Sequence, residues 1–165
     1  MKKGFTLIEI LIVVAIIAIL ASVVLVGLGP TQQAGRDARR VSDIHEVQNG
    51  LELYYNRCGY YPGAFASNAC AVTQTTGYNG GATPMSTALT GSGSASAIPL
   101  DPTNSGTHVY YYRTNGASAT SYVLAAQLEN GSSTVFNGYT APATLSAGDT
   151  LPSAGCAAPD YCVSL

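Results

Sequence analysis

The chain opens Met1-Lys2-Lys3-Gly4-Phe5-Thr6-Leu7-Ile8-Glu9, and its one early carboxylate stands at the head of a long apolar run. From Ile10 to Leu28 every residue is apolar or small, and the next charge is Arg36. A carboxylate in such surroundings is costly unless a counter-ion meets it, so its presence marks function. The chemistry open to Glu9 is therefore ion pairing. The plainer reading is that Glu9 is a helix N-terminal acid stabilised by the macrodipole, and the two roles are compatible.

The other residues able to do chemistry are Cys58, Cys70, Cys156 and Cys162, with His45 and His108. In an exported chain four cysteines read as two disulfides. Three connectivities are possible; ease of loop closure favours Cys58–Cys70 and Cys156–Cys162. A zinc site competes, but no Cys-x-x-Cys spacing occurs and only two histidines are available. No Ser/His/Asp, Cys/His or paired-carboxylate set stands out, so no enzyme activity is expected.

The elements that must position these residues begin with the apolar run. At ~1.5 Å per residue, about 20 residues cross a ~30 Å hydrocarbon core. Lys2 and Lys3 favour a cytoplasmic N-terminus, with the bulk of the chain outside. Two other fates stay open: ordinary signal-peptidase cleavage near Ala21-Ser22, or an uncut signal-anchor. Gly27, Gly29 and Pro30 should interrupt or weaken the helix near 26–30.

Beyond Thr31, Val41, Ile44, Val47, Leu51, Tyr54, Tyr55 and Cys58 recur at helical spacing and form an apolar stripe. Arg39, Asp43 and Glu46 are placed on the opposite face. The pairs Asp37–Arg40 and Arg39–Asp43 would contribute a few tenths of a kcal/mol each. That charged face is either a docking surface or simply solvated. Gly59 and Pro62 should stop the helix.

The remainder is rich in Gly, Ser, Thr and Ala. A short helix is expected from Thr83-Pro84-Met85 through Leu89, then a rigid connector at Ile98-Pro99-Leu100-Asp101-Pro102. Strands are expected at 108–113 and 122–128, with a turn signal at Thr114-Asn115-Gly116 and a weaker strand at 135–139. Tyr110, Tyr111, Tyr112 and Tyr122 read as sheet packing in preference to a binding platform. Asn130-Gly131-Ser132 fits a glycosylation pattern that also arises by chance. The fold class is α+β: a long N-terminal helix, its apolar half protruding and its amphipathic half packed on a small antiparallel sheet. Formal charge is −2, only 10% of residues are charged, and the chain has eleven tyrosines and no tryptophan. That suits an extracellular β-rich surface, and with no basic stripe nothing supports nucleic-acid binding.

The opening nonapeptide with its uncharged run resembles the start of type IV pilins and the pseudopilins of type II secretion. The segment from Asp43 to Tyr55, closing in Gly59-Tyr60-Tyr61-Pro62, is similar to the same family, so the resemblance covers 4–62. It implies a leader of residues 1–4, a membrane and filament-core helix of 5–30, and a head of 31–165. It further implies cleavage after Gly4 by a prepilin peptidase, N-methylation of Phe5, and assembly roles for Thr6 and Glu9, the freed amine meeting the glutamate of a neighbouring subunit. The expected partners are other copies in a helical homopolymer, membrane lipid before assembly, and an assembly platform with its ATPase. The precursor would sit in the cytoplasmic membrane and the filament in the periplasm or outside the cell. A tip or initiator subunit, a pseudopilin of a secretion or DNA-uptake machine, and an anchored binding protein that never polymerises are the alternatives. Pilin-like tails often carry a C-terminal disulfide loop, which Cys156 and Cys162 would supply. Calcium near Asp101 and Asn104 is implied by the resemblance alone; a turn motif accounts for those residues equally well. The family's usual proline position is occupied here by Val26.

Overall fold

A computed structural model describes residues 4–63, 70, 78, 85–114, 119–142 and 156–165. Lys2, Lys3, the Thr83-Pro84 lead-in and the Asn115-Gly116 turn lie outside the described residues. Helix α1 spans Leu7–Cys58 without a break, and Pro30 sits inside it. The expected interruption near 26–30 is therefore absent. Proline lacks one N–H and crowds the carbonyl four residues back, costing about 3 kcal/mol. A run of 52 helical residues makes bonds enough on either side of that point to hold the helix through it. The helix ends where expected: Gly59 adopts φ 81°, and its N–H donates to the Tyr55 carbonyl. That left-handed conformation strains any residue with a Cβ.

Helix α2 is Met85–Gly91, followed by strands β1 (Tyr110–Thr114), β2 (Tyr122–Gln127) and β3 (Asp160–Ser164). The sheet order is β1-β2-β3, antiparallel throughout, with Tyr112 opposite Leu124 and Ala125 opposite Cys162. One face of the sheet packs on α1. Ile44, Val47, Leu51 and Tyr54 of the helix meet Tyr110, Tyr112, Tyr122, Leu124 and Tyr161 in a single buried cluster. The other face carries Val123, Ala125 and Cys162, covered by Cys156 and Tyr111. Strand β2 is thus buried on both sides.

The buried tyrosines each find an acceptor, as a phenol withdrawn from water must. Tyr110 donates to Asp43 (2.7 Å), Tyr112 to the Pro62 carbonyl (2.8 Å), and Tyr61 and Tyr122 to Glu52 (3.1 and 3.2 Å). Burial raises the pKa of Tyr54 to about 12. These rings are structural, in line with the packing reading and against an exposed platform.

One strand expectation needs correction, and one strand was not expected. Residues 135–139 are not a strand: Thr134–Phe136 forms a 3₁₀ turn with Ser133 at its start. The Tyr139 hydroxyl then accepts from the Cys162 N–H (2.9 Å) and donates to the Cys162 carbonyl (3.0 Å), so a side chain takes up the outer edge of β3 at that residue. Strand β3 itself had no visible alternation; its pairing with β2 spans more than thirty residues of chain and leaves no local signature.

Candidate functional site

Gly4, Phe5 and Thr6 precede α1 as exposed chain outside the helix. A Cβ built on Gly4 would meet nothing within 4 Å. Among the described residues no contact requires glycine there. Thr6 is the N-cap residue, with φ −80° and ψ 152°, and Glu9 stands at the third helical position. The two form a capping box. The Thr6 N–H and hydroxyl both donate to Glu9 Oε2 (2.8 and 2.7 Å), and the Glu9 N–H donates to Thr6 Oγ1 (3.4 Å). Thr6 thus holds the carboxylate at the helix tip, one oxygen engaged. Among the described residues nothing else engages it.

Behind this tip the helix is uncovered. The large apolar side chains described between Phe5 and Leu28 are 45–86% exposed. The segment from Leu7 to Pro30 is about 36 Å long at helical rise, sufficient to cross a bilayer, and none of its apolar span is buried against the rest of the chain. Such a surface needs lipid or protein around it, which fits membrane anchoring.

Where the helix meets the sheet, polarity inverts. Arg40 is fully buried. Its guanidinium donates to Asp101 through Nε and Nη2 (2.6 and 3.0 Å), to Asp37 and Glu129 through Nη1 (both 2.8 Å), and to Thr103 Oγ1 (3.0 Å). Arg36 forms a second fork on Glu129 (2.7 and 2.5 Å). Asp37 also accepts from the backbone N–H groups of Glu129 and Asn130 (2.9 and 3.0 Å). The cluster therefore ties the first packed turn of α1 to the 101–104 loop and to the chain leaving β2. Burial works against the charge on Arg40, but the hydrogen bonds to its carboxylate partners outweigh it and hold its pKa above the ordinary value. Burial pushes Asp101 up, and Arg40 and Thr103 more than offset this, leaving it at about 2. Glu129 is lowered to about 2, first by Arg36 and then by Arg40 against burial.

This corrects the reading of Asp37 and Arg40 as a weak i,i+3 pair; on the face read as docking or solvated, Arg39 and Glu46 are exposed. Arg39 does remain exposed, 3.7 Å from Asp43, yet Asp43 is buried beneath Tyr110. A signal existed in the sequence: counting back from Leu51 by fours and threes passes Val47 and Ile44 and arrives at Arg40 and Asp37. Asp101, named as a candidate calcium ligand, has both oxygens taken by Arg40, with Thr103 and the Asn104 N–H adding to Oδ1.

The cysteines pair as Cys58–Cys70, at the end of α1, and Cys156–Cys162, on β3. His45 lies 3.3 Å from the Tyr161 hydroxyl and His108 3.3 Å from the Gln127 carbonyl. Asn130 is exposed, and its side chain accepts from the Ser132 N–H (3.0 Å) in a local turn.

A family model described as the prokaryotic N-terminal methylation motif matches residues 1–25. Among curated proteins, the chain is 38% identical over 61 residues to the type II secretion system core protein G of Escherichia coli K12, a match covering 37% of this chain and 42% of that protein. The protein of the same name from Aeromonas hydrophila is 36% identical over 61 residues (37% and 43% covered), and that from Pectobacterium carotovorum 32% over 75 residues (46% and 48%). The chain thus spans less than half the length of these relatives. No solved structure matches. The opening of the chain thus matches the prokaryotic N-terminal methylation motif, and over 61 residues the chain is similar to these type II secretion core proteins.

Proposed function

We propose that the chain is made as a membrane-anchored precursor, cut after Gly4, methylated on Phe5 and polymerised through its apolar helix into a pilus-like filament. Residues 5–30 are then the stalk and 31–165 the head. The observation that carries this reading is the contrast at the tip: a glycine that no contact among the described residues requires, next to a carboxylate fixed at the start of an apolar helix whose described side chains are exposed. Glycine there answers to an outside agent, such as a peptidase that needs a slim, extended backbone. After the cut, the five remaining basic side chains are all arginine. The freed α-amine of Phe5 is then a cation close to Glu9 in sequence. A neighbour's amine on the free oxygen of Glu9 would give the buried acid its partner and set register between copies. Extraction from lipid carries little apolar penalty when other stalks replace the lipid contacts.

Among such filaments, the name shared by the relatives favours one belonging to a type II secretion machine over a surface pilus. The platform, its ATPase and the final periplasmic or extracellular location belong to the same proposal. Mass analysis of the N-terminus of the exported protein tests it. The expected mature chain begins at Phe5 and is one methyl heavier than its sequence. A chain starting at Met1, or beyond Ser22, and remaining monomeric overturns the reading. Gly4→Val should accumulate uncut precursor without filaments. Glu9→Leu should still insert and be cut, yet assemble poorly; abundant filaments from it would remove the role given to the carboxylate.

A further inference from the structure

A groove of about 350 Å³ lies at the foot of the head, between α1 and the loop after β2. Ala34, Ala38 and Val41 form its floor, and Thr134 and Val135 its wall. Between Thr31 and Val41 the other side chains of α1 are polar, apart from Gly35. Arg36, Asp37 and Arg40 are committed to the ionic cluster, and Gln32, Gln33 and Arg39 face solvent. Ala34 and Ala38 are exposed and Val41 is half-buried, so this strip is the one apolar part of the segment left open. Stepping back by threes and fours, the same face continues through Val23, Leu20 and Ile16, all exposed. At 100° per residue, Ala34, Ala38 and Val41 fall within about 60° of one another.

We infer that this groove receives the stalk of a second copy of this chain, a conclusion that rests on the filament reading above. The occupant follows from three features. The strip is continuous with the apolar face that the filament must cover. Its floor is alanine spaced by four, which lets a second helix backbone approach closely. The stalk is the described segment that is apolar on every side, so it fits a groove offering no unpaired charge: Asp37, at the groove's border, has its oxygens engaged by Arg40, Glu129 and Asn130. A stalk from a copy placed further along the axis lies against the head's foot, while that copy's own head clears it.

Filament yield is measured for the full chain carrying Ala38→Trp, with Gln32→Trp as a control on the opposite side of the same helix. Ala38→Trp should cut yield roughly tenfold or more by filling the groove, while insertion, cleavage after Gly4 and both disulfides stay normal; Gln32→Trp should assemble as the parent does. Normal filaments from Ala38→Trp overturn the inference. So do normal filaments combined with a loss of export function, which would assign the groove to a membrane-machine partner. To guard against misfolding, Ala38→Cys is co-expressed with Val13→Cys, Ile16→Cys or Leu20→Cys. All native cysteines are paired, so new disulfide-linked dimers report contact between copies. At least one pair should cross-link in filaments; cross-links from Gln32→Cys and none from Ala38→Cys overturn the inference. If the unmodified chain forms no filaments, the parent reading fails instead.

Discussion

One helix carries two opposite solutions to the problem of burial. From Leu7 to Val24 its apolar side chains stand uncovered, whereas from Asp37 to Cys58 it buries three charged residues together with its apolar stripe. Polarity does not decide which half is inside. The packed half has partners within the chain: Asp101 and Glu129 for Arg40, Tyr110 for Asp43, the sheet for Ile44 and Leu51. Among the described residues the apolar half has none, so it needs lipid or other protein around it. The lesson is that a side chain's place follows the availability of partners more than its own hydropathy.

Substitutions along the helix can break or sharpen this contrast. The largest effect on the folded chain is expected from Arg40→Met. It leaves buried carboxylates without their counter-ion and should destabilise the head by about 3–5 kcal/mol, read as a shift in the urea midpoint of the detergent-held chain. Arg36→Met, at a residue whose side chain is 33% exposed, should cost under about 1 kcal/mol. Equal losses would mean that the cluster is not organised around Arg40.

The same truncation should give different results at two sites. Leu51→Ala creates a core cavity and should cost about 2–5 kcal/mol. Leu20→Ala has no neighbours to lose and should stay within about 0.5 kcal/mol in detergent. A sizeable stability loss from Leu20→Ala would show a partner for the apolar half within the chain itself.

Acid should act less strongly than the loss of Arg40 or of Leu51. Asp101 and Glu129 are lowered to about 2 in the folded chain, below their unfolded values near 4. Groups with depressed pKa contribute stability above the unfolded value and lose it as pH falls through the folded one. The head should therefore hold its melting temperature down to about pH 4.5 and lose about 2 kcal/mol between there and pH 2. Arg40→Met should flatten that loss, and an unchanged acid slope in the variant would detach the carboxylates from Arg40.

Much of this was legible in the sequence. The helix end at Gly59, the stripe Ile44–Val47–Leu51–Tyr54 and the strands near 110 and 122 follow from local spacing and turn chemistry. The ionic cluster was not, because its loop members lie 61 to 93 residues from their helix partners and their adjacency is a matter of topology. Asp37 and Arg40 resembled an ordinary i,i+3 pair, and only their phase with the apolar stripe hinted otherwise. Strand β3 was missed for the same reason: its pairing is non-local. Pro30 misled in the other direction, since a local breaker was outweighed by the helix on both sides.

The tip and the apolar half could be read from residue order alone: a glycine, a threonine–glutamate capping spacing and some twenty residues without charge need no fold, because each acts through its immediate neighbours. Only the tertiary structure decided where the charges of the packed half go. Burying a guanidinium requires several carboxylates to converge on it at once, and three-dimensional packing is what brings Asp101 and Glu129 to Arg40.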